Sequence, residues 1–117
     1  MPYRVILESL LARIAGARTA LLLDAQGEVV VGAGDLGERQ RLVGAYQGIA
    51  LGIASRTADR LDTGDVRSLV SRHDDGTVVL TTLRDGYYLV VSLGREALPA
   101  VAARHCEDTR ARLNVEI

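Results

Sequence analysis

Leu42-Val43-Gly44-Ala45-Tyr46-Gln47-Gly48-Ile49-Ala50-Leu51-Gly52-Ile53-Ala54-Ser55 runs for fourteen residues without a charge. Leu42, Tyr46, Ile49 and Ile53 recur at helical spacing, and Gly44, Gly48 and Gly52 form a second stripe four residues apart. Charges resume on both sides, and Asp62-Thr63-Gly64-Asp65 supplies a stop, so a helix is predicted from about Glu38 to Leu61. The face bearing Leu42, Tyr46, Ile49 and Ile53 is expected to lie on the protein's own sheet, with Leu51 and Ala58 pointing away from it. That leaves an outer side of apolar residues and bare backbone, where a helix on a monomer surface is ordinarily polar. Each interior Gly costs roughly 1 kcal/mol relative to Ala in a helix, so three of them call for a compensating contact. Another element of the same chain is one way to cover this side. The sharper expectation is a twofold dimer in which the helix meets its mate at the glycine stripe.

Outward from the helix, the chain divides into hairpins. Upstream, Ala20-Leu21-Leu22-Leu23 and Val29-Val30-Val31 flank the turn residues Asp24-Ala25-Gln26-Gly27 and read as a β-hairpin. Neither run alternates, which fits strands covered on both sheet faces. Before them, Tyr3, Ile6, Leu7, Leu10, Leu11 and Ile14 mark an amphipathic helix from Tyr3 to Ala15. Downstream, the polar-interrupted segment Asp65–His73 suits an edge strand. Thr77–Leu83 and Tyr87–Leu93 read as interior strands, and Arg95 to about Leu113 as a last helix with Pro99 in its first turn. Leu98, Val101, Ala102, Cys106 and Leu113 give that helix its apolar side. The expected fold is α/β (α+β): one domain over residues 1–117, order α-β-β-α-β-β-β-α, with a five-stranded mostly antiparallel sheet sandwiched between helices.

Composition narrows the function. The 117 residues are 48% hydrophobic yet hold no Phe or Trp, and all fourteen basic residues are Arg. A net charge of −1 argues against a nucleic-acid binder, as does the lack of stacking platforms. The lone Cys106 excludes an internal disulfide framework and a Cys-rich zinc site. No run is long enough to insert in a membrane, and Met1–Gly16 lacks the pattern of a secretory signal, so the expected location is the cytoplasm.

The element order, with Ala20-Leu21-Leu22-Leu23-Asp24-Ala25-Gln26-Gly27-Glu28-Val29-Val30, Thr77-Val78-Val79-Leu80 and Asp85-Gly86-Tyr87-Tyr88-Leu89-Val90-Val91, resembles the Roadblock family, which includes the dynein light-chain Roadblock and bacterial MglB-like proteins. The resemblance implies a Roadblock/longin-like fold and a homodimer or heterodimer. In such a dimer, edge strands (here Val66–Arg72) pair into one sheet and the long helices lie side by side. It also implies a Ras-like small GTPase as partner, regulated or scaffolded by the dimer. The dimer interface is accordingly expected at Gly44, Gly48, Leu51, Gly52, Ser55, Val66, Ser68, Val70 and Arg72. The partner is expected at Arg41, Gln47, Arg56 and Arg60.

Other motifs weigh less. Gly32-Ala33-Gly34-Asp35-Leu36-Gly37 spells G-x-G-x-x-G, but it follows the second arm of a hairpin and not the opening strand of a parallel unit. There is no phosphate-loop Lys. Adjacent side chains on a helix diverge by about 100°, so His105 and Cys106 make no nucleophile–base pair. His73-Asp74-Asp75 reads as turn chemistry, and Asp59, Asp62 and Asp65 as a solvated helix end. Together these point to a non-enzymatic regulator of bacterial signalling type, with no catalytic, metal or cofactor residues. The rivals are a small-molecule-sensing domain of similar layered fold and, behind it, a nucleotide-binding enzyme.

Overall fold

A computed structural model describes residues 2–117. The elements are α1 (Pro2–Arg13), β1 (Ala17–Leu23), β2 (Val29–Gly34), α2 (Glu38–Leu61), β3 (Ser68–His73), β4 (Gly76–Thr82), a 3₁₀ turn at Arg84–Gly86, β5 (Tyr88–Leu93) and α3 (Pro99–Glu116). The strands form one sheet in the order β2-β1-β5-β4-β3, and every neighbouring pair is antiparallel. The two hairpin groups meet where β1 pairs β5, and α2 carries the chain from one sheet edge to the other.

The unbroken apolar strands follow from cover on both faces. Ala20, Leu22, Val79, Leu89 and Val91 point to the side of α1 and α3, where Leu7, Leu10, Ala102, Cys106 and Leu113 complete the larger core cluster. Leu21, Leu23, Val78, Leu80, Tyr88 and Val90 point to the opposite side, where Val43 and Leu51 of α2 pack on them. Successive residues of a strand face opposite ways, so a run such as Leu21-Leu22-Leu23 feeds both layers at once.

Polar contacts fix the ends. The Tyr3 hydroxyl donates to the Glu116 carbonyl at 2.7 Å, tying α1 to α3. The Arg84 amide donates to Asn114 Oδ1 at 2.8 Å, tying α3 to the β4–β5 turn. Asp24 Oδ1 accepts from the amides of Gln26 and Glu28 and closes the first hairpin. The G-x-G-x-x-G segment is spent on a bend. Gly34 has φ +84°, and a Cβ there would sit 2.2 Å from the Arg18 carbonyl oxygen. The Asp35 carbonyl accepts from the Thr19 hydroxyl, and its side chain accepts from the Gly37 amide.

Two element starts differ most from the sequence reading. β3 begins at Ser68, leaving Val66 in the preceding loop, where its carbonyl accepts from the Thr82 hydroxyl at 2.7 Å. α3 begins at Pro99 and not at Arg95, because residues 94–97 close a turn through the Ala97 amide and Gly94 carbonyl. Leu98 is consequently the residue before the helix, and both it and Val101 are exposed instead of lining its apolar side.

Candidate interaction surface

The orientation of α2 is opposite to the sequence expectation. Gly44 is the one fully buried residue along its 24 residues. A Cβ on Gly44 would lie 2.9 Å from Leu21 Cδ1, and one on Gly48 would lie 2.5 Å from the Tyr88 hydroxyl. The glycine stripe therefore faces the protein's own sheet. Its bare backbone lets the helix settle onto leucine and tyrosine side chains that already fill the space. The Tyr88 hydroxyl reaches the Gly44 carbonyl at 3.5 Å, a long and weak bond. Burial, with Asp24 nearby, raises the Tyr88 pKa and keeps the hydroxyl a donor.

Gly44, Gly48, Leu51 and Ser55 are thus turned inward and are not free to meet a mate helix. Leu51 packs on the sheet cluster, and Ser55 lines a cleft of about 480 Å³ with Asp59, Val66 and Thr82. Gly52 lies beside the Arg56 guanidinium, 3.4 Å from where a Cβ would be. The residues expected on the sheet are the ones left outside: Leu42 is 50% exposed, Tyr46 65%, Ile49 61% and Ile53 55%. Periodicity found both stripes. Assigning the larger side chains inward chose the wrong one, because the partner surface was already filled.

Counting around the helix from Gly44 and Gly48, Leu42, Tyr46, Ile49 and Ile53 all point away from the sheet, and Val43 and Gln47 lie to one flank. On that flank the sheet is bare. A groove of about 1190 Å³ runs between the first half of α2 and the β3–β4 turn. Val43, Tyr46 and Gln47 form its wall, Val78 and Ser92 lie beneath, and His73, Asp74 and Asp75 stand at the rim. Of the residues expected to bind a partner, Arg41, Arg56 and Arg60 are exposed, whereas Gln47 is half-buried in this groove.

The sheet's two edges differ. β3 pairs with β4 in unbroken register from Ser68↔Thr81 to His73↔Gly76, and among the described residues no strand lies on its other side. Ser68 and Arg72 are exposed, and Val70 is 47% exposed on the face of α1 and α3. At the opposite edge, the pairing of β2 with β1 shifts register between Leu22 and Leu23. A regular strand with no neighbour is a template for pairing.

The remaining reactive groups are accounted for by packing. Cys106 is fully buried, and burial pushes its thiol up to about 12, far from a reactive thiolate. Glu107 accepts from Arg67 and from Arg110, and these contacts hold its carboxyl below the usual value. Among the described residues, no cluster of three or more His, Cys, Asp or Glu is arranged to hold a metal, and no helix is long and apolar enough to cross a membrane.

Comparison with known proteins adds the family. The fold matches a Roadblock/LC7 domain from Streptomyces avermitilis with a TM-score of 0.87 at 24% identity, covering 96% of this chain and 94% of that one. It matches Myxococcus xanthus MglB with a TM-score of 0.88 at 12% identity, covering 99% and 94%. MglC from Myxococcus xanthus matches with a TM-score of 0.73 at 21% identity over the full length of both chains. No curated protein sequence matches. The Roadblock/LC7 domain model matches residues 5–93, from α1 through β5 and across all five strands. On that match and the shared architecture, the chain belongs to the Roadblock/LC7 domain family.

Proposed function

We propose that this protein is a non-enzymatic homodimer that regulates or scaffolds a Ras-like small GTPase. The observation that carries the reading is the outward apolar stripe of α2, Leu42, Ile49 and Ile53, with Arg41, Arg56 and Arg60 exposed at its ends. A soluble surface seldom spends three large aliphatic side chains on one helix face unless a partner covers them. The rim of arginines suits a partner whose apolar patch is bordered by carboxylates. The family, and the likeness in fold to MglB and MglC, support a small GTPase as that partner.

The dimer reading rests on the other surface. Val66, Ser68, Val70 and Arg72 lie at or beside the open β3 edge, which a second copy would extend into a continuous sheet. Gly52 has no part in that contact. Any effect on GTP hydrolysis would come from positioning the GTPase's own groups, since no side chain on the α2 face is a committed acid, base or nucleophile.

The test separates the two surfaces. The double variant I49D/I53D is expected to stay dimeric by light scattering while losing capture of small GTPases loaded with GDP or a non-hydrolysable GTP analogue. Capture unchanged by the double variant would remove the α2 stripe from the reading. The sensing alternative draws on the cleft lined by Arg84, Arg110, Asp59 and Asp65. It would gain if metabolites raised the melting temperature and no GTPase bound.

A further inference from the structure

The loop that joins α2 to β3 passes the end of the sheet beside the β4–β5 turn, and the cleft of about 480 Å³ lies between them. Both walls are tied down. The Thr82 hydroxyl donates to the Val66 carbonyl at 2.7 Å and the Thr82 amide to the Arg67 carbonyl at 3.0 Å, which holds the loop. The Arg84 amide donates to Asn114 Oδ1, which holds the turn. Fixed walls suit a small ligand, since such sites are largely preformed and measure on the order of 300–1,000 Å³.

The polar groups of the cleft are sorted by sign. Asp59 and Asp65 come from the end of α2 and the loop after it, whereas Arg110 and Asn114 come from α3 on the other face of the sheet. Among the described residues neither carboxylate is in an ion pair. Arg110 Nη1 reaches Glu107 at 3.5 Å, but its Nε is buried with no acceptor in the chain. A buried donor in that state is relieved by any acceptor that enters beside it. Asn114 spends its Oδ1 on the Arg84 amide and keeps its Nδ2 hydrogens to donate. Arg84 is more engaged, with its Nη1 donating to the Asn114 carbonyl at 3.3 Å and its Nε 3.9 Å from Asp85. Between the two poles the lining is apolar, from Leu51 and Val66 and from Leu83 and Tyr87. Opposite charges thus share one cleft without touching. A lone anion would be repelled at one pole and a lone cation at the other, whereas a molecule bearing one charge of each sign suits both.

We propose that this cleft binds a short zwitterion of dipeptide size. Its ammonium donates to Asp59 and Asp65, and its carboxylate accepts from Arg110 Nε and Asn114 Nδ2. The apolar wall between them receives an aliphatic side chain. The site uses neither the outward stripe of α2 nor the open β3 edge, so it stands or falls apart from the GTPase and dimer readings.

Isothermal titration of the full chain with L-alanyl-L-leucine tests it. The dipeptide is expected to bind with a Kd below about 1 mM. Acetylating its amine or amidating its carboxyl is expected to weaken binding about tenfold or more, since each removes one charge-assisted contact. D59N/D65N is expected to weaken the free dipeptide to a similar degree and to make acetylation cost nothing further. R110Q is expected to do the same for amidation. D108N, on the outer side of α3, serves as control and leaves binding unchanged. Free L-leucine, whose charges share one carbon, is expected to bind more weakly, and equal binding would overturn the span between the poles. No binding of the dipeptide up to about 10 mM would overturn the site. So would blocked dipeptides that bind the wild-type chain as tightly as the free one, a result that does not depend on how any variant folds.

Discussion

The two helical layers hold the same sheet by different means. On one face, α1 and α3 bury Leu7, Leu10, Ala102, Cys106 and Leu113 to completion against the strands. On the other, α2 touches the sheet chiefly through the backbone of Gly44 and Gly48 and the side chains of Val43 and Leu51, and turns its largest apolar residues outward. The first layer buries its apolar surface and the second leaves much of its own uncovered. A helix that exposes Leu42, Ile49 and Ile53 forgoes the roughly 1.5–3 kcal/mol that burying each would contribute to its own fold.

The contrast can be broken most forcefully from the buried layer. Leu113→Ala is expected to cost 2–5 kcal/mol in urea unfolding at a fixed protein concentration, whereas Ile49→Ala stays within about 0.5 kcal/mol. Equal losses would mean that the α2 stripe is held by contacts within the chain. Next in size is Gly48→Ala. The new methyl meets the Tyr88 hydroxyl, and overpacking of this kind costs about 1–3 kcal/mol, offset by the roughly 1 kcal/mol that Ala gains in a helix. Tyr88→Phe removes the obstructing oxygen, so the double variant G48A/Y88F is expected to recover most of the loss. A double variant as unstable as G48A alone would place the strain elsewhere.

The smallest effect is electrostatic and lies on the α3 side. The hydrogen bond from Arg67 is the main cause that holds the Glu107 carboxyl below its ordinary value, with Arg110 adding to it. A lowered folded-state value gives stability that is present above the unfolded carboxylate's pKa and is lost as pH falls through the folded one. Both side chains are well exposed, so the effect is small. Glu107→Gln is expected to flatten the acid limb of stability between the two values and to leave stability near neutral pH almost unchanged. A matching acid limb in the variant would assign the loss to other carboxylates.

Most of the fold was legible in the sequence because its cues are local. Charge flanks and the Asp62–Asp65 stop placed α2 at Glu38–Leu61, and Gly and Asp turns placed the hairpins. The edge character of β3 showed in Ser68, Ser71 and Arg72. What the sequence hid was direction. Two stripes competed for the sheet, and only the strand side chains opposite, Leu21, Leu23 and Tyr88, decide that bare backbone fits there and branched chains do not. Asp74 and Asp75 read as turn residues for the same reason: the groove beside them exists only once α2 has settled on the sheet. Pairing the glycines with the aromatic Tyr88 was the available clue, since a helix with gaps at every fourth residue implies a bulky neighbour as readily as a second helix.

Cys106 turns the asymmetry between the layers into a built-in clock. It is the chain's single thiol, shut on the inner face of α3 against the sheet and held in its unreactive protonated form. A thiol reagent in solution can label it only after α3 lifts from β4, so the labelling rate counts openings of the buried layer alone. Motions of α2 leave no trace in that record. A cysteine introduced on the outer face of α2 would carry a dye to that helix while the native one waits, unlabelled, to report the day the core gives way.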